Sequence, residues 1–251
     1  MMRTTLFRTL AAVVALGAAP LLEAAPIPPP LMHAPVNVAD TASLQRGARD
    51  FMNYCMGCHE LKYERWSRLG RDLKLGPRAL RRLMFLQTKP YQMITNAMPK
   101  AEAIKFFGEA PPDLSVVASE KGADWIYTYL QSFYLDPSRP TGVNNLVFYN
   151  VAMPDPFWHM QGLRRAVFRR TGSPHGTGVR RFVRYVTVVP GSMPPAAFRR
   201  RVGNITNFLV YVANPDRLKA MALGIRVLAF LVLFTLFAYL LKREIWKDVH
   251  H

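Results

Sequence analysis

Two cysteines, and only two, occur in the 251 residues. They stand as Cys55-Met56-Gly57-Cys58, with His59 directly after. Two thiols on one helical turn can each add across a vinyl group of a porphyrin, which holds the following imidazole beneath the iron. Cys-x-x-Cys-His is accordingly the attachment signature of c-type haem. Other uses of the pair fit less well. A structural zinc site usually takes four Cys or His ligands in two spaced pairs, and the chain has no second cysteine pair. A thioredoxin-like dithiol opens a helix that follows a strand, whereas the pattern before Cys55 is already helical. A disulfide between residues this close would be strained. The spacing therefore predicts one covalently attached haem c, with Cys55 and Cys58 joined to it and His59 on the iron.

The sixth iron ligand is less legible. Among twelve methionines, Met98, Met153 and Met193 each precede a proline, which favours a local extended backbone. Met153 and Met193 are the two candidates. Met193 lies just before a helical stretch, where small soluble c-type cytochromes keep their ligand.

The elements that must position these residues can be read from periodicity. Asp40 or Thr41 caps a helix in which Leu44, Ala48, Phe51 and Cys55 share a face. Residues 78–98 read as helical with short breaks. Residues 110–115 read as a turn, with Asp113 as the cap of the segment after it. A second helix spans 124–133, and 137–162 is mostly loop. Residues 164–170 and 179–189 form a hairpin. The last soluble helix, 196–213, places Phe198, Val202, Ile205, Leu209 and Val212 on one face.

The two ends carry targeting information. Residues 1–25 read as a signal peptide, with Arg3 and Arg8 ahead of an apolar run and small residues. Residues 26–39 are a proline-rich lead-in with no core of its own. Residues 40–216 make the haem domain. Residues 220–242 are almost wholly apolar, about the length of one membrane span, and 243–251 form a basic tail. Lys242, Arg243 and Lys247 favour a cytoplasmic location for that tail. The expected topology is a single pass in the bacterial inner membrane, with the haem domain in the periplasm.

The formal charge of +17 calls for an anionic partner, whether acidic protein or membrane lipid. A covalently attached haem on an exported chain argues against nucleic acid. Between residues 156 and 215 there are ten arginines and no acidic residue.

Several ordered motifs identify a resemblance. They are Asn53-Tyr54-Cys55-Met56-Gly57-Cys58-His59, Phe107-Gly108-Glu109-Ala110-Pro111-Pro112-Asp113-Leu114-Ser115, and Gly122-Ala123-Asp124-Trp125-Ile126-Tyr127-Thr128-Tyr129-Leu130. Pro140-Thr141-Gly142-Val143-Asn144-Asn145, Asn150-Val151-Ala152-Met153-Pro154 and Trp246-Lys247-Asp248-Val249-His250 follow in order. With a C-terminal anchor, this set resembles cytochrome c1, the haem subunit of the quinol:cytochrome c reductase (cytochrome bc1) complex, in its compact bacterial form.

The resemblance implies a mainly α fold: a c-type cytochrome domain with long loops and a small β-hairpin, plus one C-terminal transmembrane helix. It implies that 41–55 and 196–213 pack together near the haem, and it selects Met153 over Met193 as the sixth ligand. Pro111 and Pro112 are implied to contact the haem edge, with a backbone carbonyl there accepting the ring proton of His59. Lys121 stands where the family carries an arginine beside a haem propionate. The implied role is electron transfer without independent bond chemistry, alongside cytochrome b and the Rieske iron–sulfur subunit, to a periplasmic cytochrome c. The family often docks a basic acceptor on an acidic face, so the arginines here favour an acidic one, with Arg180, Arg181 and Arg184 steering it. The alternatives are the haem subunit of another membrane oxidase or dehydrogenase, or a membrane-bound haem sensor.

Overall fold

The computed structural model describes residues 25–247 apart from 86, 88 and 172–178. The expected signal peptide, apart from Ala25, and the last four residues of the basic tail lie outside the described residues.

The domain is built on one helix crossing. Helix α1, Thr41–Tyr54, starts at Asp40, whose carboxylate accepts the Ser43 amide at 2.9 Å and satisfies one of the helix's orphan donors. Leu44, Ala48 and Phe51 are buried on its inner face. The partner is the late helix Pro195–Ala213, which buries Val202, Ile205, Phe208, Leu209 and Val212. The two pack closely, as the resemblance implied, because Gly47 has no side chain. A Cβ there would stand 2.0 Å from the Asn204 carbonyl oxygen and 2.7 Å from the Phe208 Cβ. Phe51 and Phe208 meet with ring centroids 5.7 Å apart. Polar groups at the crossing are also paired. Ser43 Oγ bonds Asn204 Oδ1 at 2.8 Å, and the buried Asn207 donates to Ser43 Oγ and to the Asn37 carbonyl.

Between these helices the chain makes short elements: β1 (Leu61–Arg65), α2 (Trp66–Asp72), α3 (Pro77–Leu83), β2 (Met93–Ile94), α4 (Lys100–Phe107), α5 (Val117–Glu120) and α6 (Ala123–Tyr129). Then come β3 (Phe133–Leu135), β4 (Val143–Asn145), α7 (Trp158–Gln161), β5 (Gly162–Thr171) and β6 (Val179–Pro190), ahead of α8 (Pro195–Ala213). The described strands form three antiparallel pairs, β1–β2, β3–β4 and β5–β6.

Three expectations need correction. Residues 78–98 are helical only through Leu83; the left-handed Phe85 (φ 47°) and Pro90 interrupt the run. The chain then returns as β2, pairing Ile94 with Leu61. Asp113 does not cap a helix. Its carboxylate accepts the backbone amides of Lys62 and Ser115 at 2.8 and 2.9 Å, and α5 begins without a side-chain cap. The helix expected over 124–133 stops at Tyr129, because Phe133, Tyr134 and Leu135 pair with Asn145, Asn144 and Val143.

The lead-in is strapped down rather than loose. Met32 and Ala34 amides donate to Thr128 Oγ1 and Asp124 Oδ1, both at 2.8 Å, and Ile27 bridges to Arg181. Helix α9, Arg217–Ile245, follows Asn214 and Pro215. Within Lys219–Ile245 the most apolar eighteen-residue window has a mean hydropathy of 2.3, and none of it is buried. At about 1.5 Å per residue it is long enough to cross a bilayer, which makes it a candidate membrane span. Arg68 ties its start to the domain through Asp216 at 2.8 Å.

Candidate haem-binding site

Helix α1 ends where the chemistry begins. The Cys55 amide still bonds the Phe51 carbonyl at 2.8 Å, and the amides of Cys58 and His59 both return to the Cys55 carbonyl. This turn gathers two thiols and an imidazole within five residues. Cys55 is buried, Cys58 is half-buried, and both are free thiols. Burial pushes the Cys55 thiol up to about 12, with the nearby Cys58 and Asp50 adding to the rise; burial also raises Cys58. Both shifts favour the neutral thiol, unlike the exposed low-pKa thiolates of redox dithiols. Among the described residues no group of three His, Cys, Asp or Glu side chains could hold a metal ion.

His59 is oriented by residues about fifty positions away. Its Nδ1 donates to the Pro112 carbonyl at 2.8 Å. The residues after Pro112 run beside those after His59: Leu114 amide to Glu60 carbonyl at 2.9 Å, Lys62 amide to Asp113, Tyr63 amide to Ser115 Oγ at 3.1 Å. This zipper delivers the Pro112 carbonyl to the ring. Asn96 adds a bond from its amide to the Cys58 carbonyl at 2.5 Å. Burial lowers the His59 pKa, against the Pro112 bond and the Asp113 charge, so the ring favours the neutral form. With the proton on Nδ1, the lone pair is left on Nε2, the arrangement a metal-bound histidine uses.

Met153 sits in the other part of the domain. Half-buried, it packs on the small core of Phe133, Val143 and Val151, and its sulfur accepts from the Tyr129 hydroxyl at 3.3 Å. Tyr129 stacks on Trp125 at 4.9 Å and meets Phe133 edge-on. The loop carrying Met153 is stitched by two buried asparagines. Asn144 Oδ1 accepts the Asn145 and Asn150 amides, Asn145 Oδ1 accepts from Val147, and Asn145 Nδ2 donates to the Tyr129 carbonyl. That role was not legible in the sequence, where both residues served only as motif letters.

The remaining predicted residues fall differently. Met193 is half-buried and lines an open cleft of about 500 Å³ between α1 and α8, with Ser43, Asp50 and Arg200. Pro111 is half-buried and Pro112 exposed, so their described contribution is the carbonyl. Lys121 follows α5 and pairs with Glu120 at 2.7 Å, both well exposed; no described contact brings it to His59.

Two free thiols, a neutral carbonyl-tethered imidazole and a half-buried thioether suit a haem, and the class they define is a c-type cytochrome on one candidate membrane helix. No family model matches the chain. It is 46% identical over 221 residues to a protein named cytochrome c1 from Allochromatium vinosum, covering 88% of this chain and 90% of that one. A second relative, named ammonia monooxygenase gamma subunit, from Nitrosomonas europaea, is 40% identical over 221 residues, or 88% and 89% of the two chains. A cytochrome c1 from Rhodospirillum rubrum is 26% identical over 253 residues, 84% of each. The chain belongs to the cytochrome c1 family: a haem-bearing electron-transport protein with a candidate membrane anchor.

Proposed function

We propose that this protein is the haem subunit of a bc1-type quinol:cytochrome c reductase. It accepts one electron from a Rieske iron–sulfur subunit and passes it to a periplasmic cytochrome c. The observation that carries this reading is the imidazole of His59, buried and tethered through Nδ1 to Pro112, in the turn after α1 that carries both thiols. Cys55 and Cys58 hold one haem c covalently, and His59 and Met153 ligate its iron. His/Met ligation raises the potential of a haem, which suits an acceptor downstream of a Rieske centre.

The haem supplies the one-electron chemistry, and the protein supplies orientation, dryness and docking. Pro112 fixes the His59 ring, Tyr129 holds the Met153 thioether, and Pro111 and Pro112 border the haem edge. Residues 1–25 export the chain, 40–216 form the periplasmic domain, 220–242 anchor it beside cytochrome b in the bacterial inner membrane, and 243–251 face the cytoplasm.

The relative named ammonia monooxygenase gamma subunit supports a second reading, the same haem unit on a different membrane oxidase. Mild detergent extraction of the tagged protein separates the two. We expect cytochrome b and Rieske subunits to co-purify, and quinol to reduce the haem in the purified complex. Co-purification with monooxygenase subunits, and no reduction by quinol, overturns the proposal.

A further inference from the structure

The β5–β6 ribbon has two unlike faces. Paired residues in an antiparallel ladder share a face, and the register here pairs Arg164 with Thr187, Ala166 with Tyr185, Phe168 with Phe182 and Arg170 with Arg180. Arg164, Ala166, Phe168, Phe182 and Tyr185 on this face are half-buried and turn inward, while Arg170 and Thr187 stay exposed. Phe168 meets Tyr134 edge-on at 5.7 Å. Arg164 lies 3.7 Å over the Tyr185 ring and donates to the carbonyls of Phe133 and Gln131. Arg180 donates to the Tyr149 hydroxyl at 3.0 Å. The ribbon is thus laid over the lobe that carries Met153, and two of its arginines are bound up in holding it there.

The opposite register, Arg165 with Val186, Val167 with Arg184 and Arg169 with Arg181, turns outward. Arg165, Arg169, Arg181 and Arg184 are all exposed, and among the described residues none has an acidic partner. Exposed Val186 lies between them, and Val183 stands exposed at the bulge. No acid or lysine occurs anywhere from 156 to 215. Arginine set among apolar residues, with lysine depleted, is the composition of a protein interface.

The ribbon is also remote from the candidate membrane helix along the chain. Its root at Gly162 and Pro190 is joined to α8 at the N-terminus of that helix, where Gly191 lets the two segments approach. The anchor leaves from the other end of α8, nineteen residues later, a helix length of about 28 Å. The strand edge at Arg180 and Arg181 is already taken by Ile27, so strand addition there is blocked.

We infer that the outward face of this ribbon, carried by Arg165, Arg169, Arg181 and Arg184, is the docking surface for an acidic electron-acceptor cytochrome. The inference rests on the electron-transfer role proposed above. Four coherent positive charges steer an anionic partner towards the Met153 lobe, and salt screens that attraction. Arg180 faces inward and belongs to the scaffold, so it is not among the steering residues.

The test uses the complete complex in nanodiscs of zwitterionic lipid and, separately, of lipid with added anionic headgroups. The quinol-reduced complex is mixed in stopped flow with a purified acidic c-type cytochrome and with a basic one, across a salt series. We expect the acidic acceptor to react faster at low salt. The variant Arg165→Glu/Arg169→Glu/Arg181→Glu/Arg184→Glu should slow it by about tenfold or more, with the rates converging at high salt. Reduction of the haem by quinol, followed in the same mixture, stays unchanged in the variant. Its loss in the unmodified complex would indict electron entry instead, and docking is read independently as salt-dependent binding of the acidic cytochrome to the nanodisc complex. Faster reaction of the basic cytochrome, an unchanged acidic rate and binding in the variant, or an effect confined to anionic nanodiscs each overturns the inference. The last outcome would make the ribbon a lipid-binding surface.

Discussion

His59 leaves a helix buried along its length against α8, whereas Met153 sits in a loop over a core of three buried residues, Phe133, Val143 and Val151. On the histidine side, close backbone approach at Gly47 and large side chains such as Phe51, Trp66 and Phe208 carry the structure. On the methionine side, the small core is supplemented by directed hydrogen bonds from Asn144 and Asn145 and by stacked aromatics. Apolar burial scales with area, so the first side resists change at the site but not at its crossing. The second tolerates change of packing more readily than change of chemistry.

The sharpest way to break the histidine side is Gly47→Ala. Its Cβ would meet backbone atoms of α8 at 2.0 Å, and backbone cannot yield as a flexible side chain can. We expect a loss of more than about 4 kcal/mol, read as thermal unfolding of the holoprotein. A cost below about 1 kcal/mol would mean the crossing is looser than the structure has it.

The same side holds a carboxyl that the site does not use. Glu64 is 1% exposed, and neither carboxylate oxygen has a hydrogen-bond partner of ordinary geometry among the described residues. Burial pushes its pKa from 4.5 to about 7, and the Arg68 charge opposes this only in part. A carboxyl raised in the folded state costs stability as pH climbs through this window, since the folded form retains a proton the unfolded form has lost. Stability should fall by on the order of 3 kcal/mol between pH 4.5 and 7, and Glu64→Gln should remove that slope. Denaturant titrations of both proteins at several pH values measure it. An unaltered slope in Glu64→Gln would assign the pH dependence to other groups.

On the methionine side the expected effect is chemical and the stability change small. Met153→Leu conserves volume, so it should cost less than about 1.5 kcal/mol. It should nevertheless abolish the sulfur-to-iron absorption band and lower the potential. Met193→Leu, beside the α1–α8 cleft, should leave both unchanged. The reverse pattern would move the sixth ligand to the histidine side and erase the contrast between the two.

Some features are local and were legible without tertiary structure. The Cys55, Cys58 and His59 spacing, a cap at Asp40 or Thr41, the apolar face of α8 and the long apolar run within α9 each depend on neighbours a few residues away. Helix periodicity or the reach of a side chain therefore encodes them in the chain itself. Features that depend on distant partners were not legible. The strand at 93–94 exists because Leu61 pairs with Ile94, and α6 stops early because β3 finds β4. Asp113 serves the Lys62 amide rather than a helix end.

The arginines show the boundary most plainly. Their number and the lack of acids among them are set by the sequence alone, and so is the positive field they make. Which of them face the Met153 lobe and which face outward was decided only in the folded ribbon. Two bulges there break the simple alternation of sides, and packing of Phe168 on Tyr134 selects the inner face. Strand parity has a period of two, so one extra residue reverses every side chain beyond it. Only the partner strand and the surface beneath it determine where that reversal falls.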